Sequence, residues 1–169
     1  MKKLVVGTVL LSLAFILSSM LCAFGLATIF VPGKVGFVFD GVGAYSASVF
    51  FYEKQYKKTK DIDDLYVVVR KVDVENDSVR AERLFEEIIT HADFSKLCKR
   101  IDDENKADFE ATNLTNMSYI STRNYCYGSY CMALIENGQV DKAKTYANEI
   151  TDTVVFGAVS SKIQSAIAD

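Results

Sequence analysis

Reactive side chains are few and scattered in this chain. Cys22, Cys98, Cys126 and Cys131 are its only thiols, and His91 is its only imidazole. A structural zinc ion needs about four thiolate or imidazole ligands, usually in closely spaced pairs, and no such spacing occurs. Cys126 and Cys131 are five residues apart, so on one helix they point about 140° from each other and cannot join. Either could bond to Cys98 in an oxidising compartment; the competing reading is that all three are small buried residues. His91 follows an amphipathic stretch, where it reads as a residue at a helix C-terminus rather than a general base. With one histidine and no nucleophile elbow, a Ser-His-Asp arrangement has nothing to build on.

Paired carboxylates are plentiful: Asp63 with Asp64, Glu86 with Glu87, and Asp102 with Asp103 and Glu104. Such pairs do acid–base chemistry when their surroundings drive the two pKa values apart. Here they fall in helix starts, on polar faces and in a polar run at 102–117, where solvated charges belong. Residues 102–110 lack the alternating oxygen spacing and central glycine of a calcium loop, and no glycine-rich phosphate loop is present. The expectation is a protein that is not an enzyme and has no cofactor and no metal. Asn-x-Ser/Thr sequons stand at Asn76, Asn113 and Asn116, which matter only where exported proteins are glycosylated. Four of the nine tyrosines, Tyr119, Tyr125, Tyr127 and Tyr130, crowd one segment and cannot all face inward. Tyrosine is a favoured contact residue at interfaces, so Tyr127, Tyr130 and Leu134 are expected either on a partner-binding face or in the core.

The elements that would position these residues begin with an apolar segment. Residues 4–31 carry no charge, and a helix crossing hydrocarbon needs about 20 such residues. Pro32-Gly33 stops the helix. Lys2 and Lys3 before it, against Lys34 after it, predict a cytoplasmic N-terminus and an extracytoplasmic C-terminal domain. The competing reading is a signal peptide cleaved after Gly25-Leu26-Ala27. A lipid-modified Cys22 fits less well, because Leu21 is not the small residue such a site needs. The resulting division is an anchor or signal segment at 1–34, a linker at 35–43, and a helical domain at 44–169.

Within that domain apolar residues recur at helical spacing. Val49, Tyr52 and Tyr56 mark a first helix, and Asp61 caps a second carrying Ile62, Leu65 and Val69. The β-branched residues at 65–74 suit a strand as well, so helix and strand both stand there. Ala81, Leu84, Phe85 and Ile88 form one face of an amphipathic helix capped by Asp77 or Ser78, followed by a shorter one through Phe94, Leu97 and Ile101. Residues 102–117 read as a surface loop. Tyr127, Tyr130, Cys131 and Leu134 lie on a helix ending at Asn137-Gly138, Val140 to Ile150 on its return, and Phe156, Val159, Ile163 and Ile167 on a last one.

These helices pair with a common spacing. Tyr127, Tyr130, Leu134, Gly138, Val140, Ala143, Ala147 and Ile150 correspond, 78 residues back, to Val49, Tyr52, Tyr56, Lys60, Ile62, Leu65, Val69 and Val72. The residues 46 back are Ala81, Leu84, Ile88, Ala92, Phe94, Leu97 and Ile101. The pattern resembles a degenerate tetratricopeptide-repeat array, whose units are antiparallel helix pairs of about 34 residues. Leu134, Gly138, Ala143 and Ala147 match best; Leu65 and Leu97 stand where the family has alanine, and no proline closes a unit. The resemblance implies an all-α fold of stacked antiparallel hairpins behind a transmembrane helix. An irregular helical bundle, or an α+β domain using 65–74 as a strand, are the alternatives.

Charge narrows the partners. Lys2, Lys3 and Lys34 bracket the apolar segment, leaving 16 of the 19 basic residues against 22 acidic ones. An excess of about six negative charges opposes phosphate backbones, so nucleic acid is excluded as a partner. Aromatics at 12% and half hydrophobic residues argue against a disordered chain. The expected function is a membrane-anchored helical protein–protein interaction domain tethering a partner protein or peptide at the membrane surface. The alternative is a structural subunit of a larger membrane complex, with Ser18, Ser19, Ala23 and Gly25 allowing close helix approach. A secreted domain, or an enzyme joining His91 or a cysteine to a carboxylate in a pocket, are the remaining rivals.

Overall fold

Every described element is helical, as the periodicity predicts. The structure, a computed structural model, describes residues 2–72, 76–111 and 119–168, with side chains from Phe15 onward apart from Ala107 and Ala111. The chain divides into two compact units, Met1–Thr59 and Lys60–Asp169.

The first unit holds α1 (Lys2–Phe30), α2 (Pro32–Gly41) and α3 (Tyr45–Thr59). Pro32 ends α1 because its ring cannot continue the hydrogen-bond ladder, but the same fixed φ suits the first position of a new helix. Residues 35–43, expected as a linker, are therefore mostly helix. The glycines that suggested a linker serve packing instead: a Cβ on Gly36 would sit 3.2 Å from the Ser48 carbonyl and 3.3 Å from the Tyr52 ring. Val35, Val49 and Tyr56 form the seam between α2 and α3. Counting only residues with described side chains, no single helix is long and apolar enough to cross a membrane. Phe15–Phe30 and Pro32–Gly41 meet that test only together, as a pair bent by 115°. The helix α3, grouped by sequence with the domain beginning at 44, belongs to this unit.

The second unit contains α4 (Ile62–Val69), α5 (Ser78–Ile89), α6 (Phe94–Ala111), α7 (Thr122–Glu136), α8 (Val140–Ala147) and α9 (Thr153–Ala168). Asp61 and Asp77 cap α4 and α5 by accepting from the amides of Asp63 (2.8 Å) and Arg80 (3.3 Å). The valine-rich stretch is helix because Leu65, Val68 and Val69 lie at zero exposure, and core packing outweighs the strand preference of β-branched residues. The surface loop expected at 102–117 is helix as far as Ala111. That run, with two Glu, two Ala and one Lys beside its three Asp, contains no Gly or Pro, and it lacks an apolar period because most of it faces water. Asn113 and Asn116 lie outside the described residues.

The central element is α7, packed by α5, α6, α8 and α9 and buried on nearly every side. The α7–α8 pair packs as the spacing predicts, whereas α5 and α6 scarcely touch each other. At the equivalent turns Lys60 (φ 57°) and Gly138 (φ 74°) are both left-handed; Ala92 is not.

Candidate functional site

The polar residues that could do chemistry are tied into the architecture. Asp102 accepts from the Tyr119 hydroxyl at 2.8 Å and the Thr122 amide at 2.7 Å, so a residue of the acidic run fastens α6 to the start of α7. Burial, and then this carboxylate, push the Tyr119 phenol up to about 12. Glu82 accepts from Asn137 Nδ2 (2.6 Å) and Gln139 Nε2 (2.7 Å), and Glu86 accepts from Lys142 Nζ (2.9 Å), which join α5 to the α7–α8 turn. Asn124 Oδ1 accepts from the Thr151 and Asp152 amides (2.9 and 3.3 Å), holding the α8–α9 connection to α7. His91 Nδ1 accepts from the Asp93 amide at 3.1 Å within the α5–α6 turn. Among the described residues, no three His, Cys, Asp or Glu side chains converge as metal ligands.

Cys98, Cys126 and Cys131 are buried free thiols, and Cys22 is exposed on α1. Cys131 Sγ donates to the Ala143 carbonyl on α8 at 3.5 Å, away from α6, as the five-residue spacing requires. Cys126 faces Cys98. Contact between Asp102 and Thr122 fixes an antiparallel register for α6 and α7, and one turn along each helix brings residues 98 and 126 level. The Phe94 and Tyr127 rings, 6.0 Å apart, continue the same seam. Burial pushes the Cys98 thiol up to about 11 and Cys131 up to about 12, and raises Cys126 further. These are protonated, sequestered thiols, poorly suited to nucleophilic work.

The residues expected to bind a partner are in the core. Tyr130 and Leu134 have no exposed surface and Tyr127 is 8% exposed, so a partner cannot reach them without repacking α7. Of the two placements weighed for them, face or core, the structure has them in the core. The reason is that α7 is surrounded, so its tyrosines divide between inward seams and one remaining open flank.

That flank is a groove of about 360 Å³ between α7 and α9. Tyr125, Gly128 and Met132 of α7 form one wall, Val154 and Val155 of α9 the other, and Ile120 the mouth. A Cβ on Gly128 would meet Val155 Cγ1 at 2.6 Å, so the glycine is what lets α9 approach its floor. Val154 is 66% exposed and Ile120 44%. A more polar cleft of about 590 Å³, lined by Tyr66, Arg70, Asn105 and Phe109 among others, shares Ile120 and Tyr125 with it. The crowding of tyrosines pointed toward this region, but the valines of α9 gave no sequence signal: Val154 is exposed and Val155 half-buried, on a helix whose buried residues are Val159 and Ile163.

Compared with protein-family models, with curated proteins and with solved structures, the chain matches none.

Proposed function

We propose that this chain is a membrane-anchored helical adapter, with α1 in the bilayer and the α7–α9 groove holding an apolar segment of a partner protein. The observation that carries the reading is the groove, an apolar trough between two helices, the kind of lining into which a partner helix or peptide lays its apolar side chains. The tetratricopeptide resemblance is retained for the α7–α8 pair alone.

Support for the anchor comes from a backbone helix of 29 residues, about 43 Å long against a hydrocarbon thickness of about 30 Å. Its described half exposes Phe15, Leu17, Leu21, Phe24, Ile29 and Phe30. An uncovered apolar surface along that described half is unfavourable in water and favourable in lipid. Lys2 and Lys3 favour a cytoplasmic N-terminus, placing the second unit outside. Lys54, Lys57 and Lys58 lie more than about 20 residues beyond the end of α1, outside the window in which the charge bias is counted.

A second reading, a structural subunit held by helix packing in the membrane, is favoured by Gly25, where an added Cβ would meet nothing and the α1 surface is open. The test is purification of the full-length protein from native membranes in mild detergent, with quantitation of companions. Val154→Glu and Ile120→Glu, both at exposed positions, are expected to reduce a bound companion about tenfold or more while leaving helicity unchanged. Companions retained by both variants would eliminate the groove as the binding surface. Companions lost only when α1 is replaced by an unrelated apolar helix would establish the subunit reading.

A further inference from the structure

The first unit carries apolar surface that neither its own core nor the anchor explains. On α2 and at the residue that caps its end, Lys34, Phe37, Val38, Gly41 and Val42 recur at the i, i+3, i+4, i+7, i+8 spacing of one helix face, and all are exposed. Phe37 is 71% exposed and Val42 74%, and Tyr45 and Phe50 at the start of α3 are also open. The opposite face of α2, with Val35 and Gly36, is the one packed on α3. Along the hairpin the distribution is polar at one end and apolar at the other. The base has Lys34, Lys54, Lys57 and Lys58; the tip, around the left-handed turn residue Gly43, has Phe37, Val38, Val42, Tyr45 and Phe50 exposed, with the half-buried Asp40 and the exposed Ser46 as its polar groups.

The direction of the hairpin gives that polarity a meaning. From α1 to α2 the chain turns through 115°, about 25° beyond a right angle, so α2 leans back alongside the helix that precedes it. Two contacts hold the lean. Phe39, near the tip of α2, packs edge-on against Phe24 at 6.2 Å, and Phe24 lies about 9 Å short of the end of α1. Phe39 also stacks on Phe51 of α3 at 5.4 Å, which carries the second helix with it. At the base, Lys58 Nζ donates to the Phe30 carbonyl at 2.8 Å and satisfies the end of α1.

We propose that the α2–α3 hairpin is a wedge in the membrane interface: Phe37, Val38, Val42, Tyr45 and Phe50 lie at the headgroup–acyl boundary of the bilayer that α1 enters, with the lysines of its base at phosphate level. The proposal rests on the anchor reading. For an α1 near the membrane normal, α2 falls roughly 6 Å from base to tip, within the roughly 5–10 Å depth at which interfacial helices bury their apolar faces. Continuity with the apolar surface of α1 selects lipid as the occupant over a soluble partner. The lysines of the base suit the phosphate groups that phospholipids carry in either leaflet.

The test uses the full-length protein in vesicles of phosphatidylcholine and phosphatidylglycerol, with Cys22→Ser removing the exposed thiol. An environment-sensitive fluorophore is attached at Val42→Cys, or at Lys57→Cys as the base control. Nitroxides carried high on the lipid acyl chains are expected to quench the tip probe several-fold more strongly than the base probe, and aqueous iodide should do the reverse. A tip probe as open to iodide as the base probe, in protein that alkaline carbonate does not extract, would overturn the wedge while leaving the anchor standing. Extraction by carbonate would remove the anchor reading and the wedge together. A tip probe shielded from iodide, indifferent to lipid nitroxides and exposed on dilution with lipid would assign the surface to a second copy and overturn the proposal.

Discussion

Tyr130 has its ring wholly buried, edge-on to Tyr146 at 4.9 Å and under the Lys142 ammonium at 5.5 Å. Its hydroxyl lies beside the Lys142–Glu86 pair without a hydrogen bond of good geometry, and burial pushes the phenol up to about 12. Removing an unsatisfied buried hydroxyl loses no bond, so Tyr130→Phe is expected to change stability by less than about 1 kcal/mol, in either direction. A loss of 2 kcal/mol or more in urea denaturation would show that the hydroxyl does bond to its charged neighbours; about 2 is the scale of such bonds. The neighbouring pair predicts a pH window. The Lys142 hydrogen bond holds Glu86 below its usual 4.5, so the contribution of the carboxylate is present above that value and fades as pH falls through its lower folded value. The Tyr130 and Glu86 groups hold Lys142 above 10.5, so its contribution is present below that and fades as pH rises through its folded value. Both side chains are at least a third exposed, which limits the pair to under about 1 kcal/mol. Urea midpoints between pH ~5 and ~3 should fall less steeply in Glu86→Gln than in the parent; identical slopes would remove the pair from the acid limb.

Between α7 and α9 the packing turns on one missing methyl. Gly128→Ala gains about 1 kcal/mol of helix propensity, but its Cβ must displace Val155 Cγ1, and overpacking of this kind costs about 1–3 kcal/mol. The expected net is a loss of about 1 kcal/mol, and Gly128→Ala with Val155→Ala should recover it, a coupling of about 1 kcal/mol in a double-mutant cycle. Additive effects in thermal denaturation would mean that α9 is not seated on Gly128. The α6–α7 seam makes a second prediction. Refolding in a glutathione redox buffer should join Cys98 to Cys126 rather than either to Cys131, as read by non-reducing peptide mapping. The cross-link closes a loop worth about 3–4 kcal/mol. A Cys98–Cys131 product would contradict the register set by Asp102 and Thr122.

At the scale of the molecule, the second unit has a complete core of its own: Leu65, Val68, Leu84, Phe85, Ile88, Leu97 and Leu134 are all at most 2% exposed. A chain beginning at Lys60 is therefore expected to be soluble, helical by circular dichroism and to unfold in one cooperative transition. Aggregation of that fragment would instead support the subunit reading, in which the fold depends on its membrane neighbours. The first unit differs in kind. Its described helices expose Phe15, Leu21, Phe37, Val42 and Tyr45, apolar surface that is unfavourable in water.

The sequence by itself determined that the chain is helical, where most helices start and stop, and that its first segment is apolar throughout. Those properties are local: they depend on the 3.6-residue period, on caps such as Asp61, Asp77 and Gly138, and on uninterrupted hydrophobicity. Only the tertiary structure decided which tyrosines were core. Tyr125 and Tyr127 belong to one helix and one residue type, and what separates groove from interior is the packing of α6, α8 and α9 around α7. The structure also decided that the β-branched run at 65–69 is helix and that 102–111 is not a loop. Burial overrode propensity in the first case; in the second, a mostly solvent-facing helix had no apolar stripe to announce it.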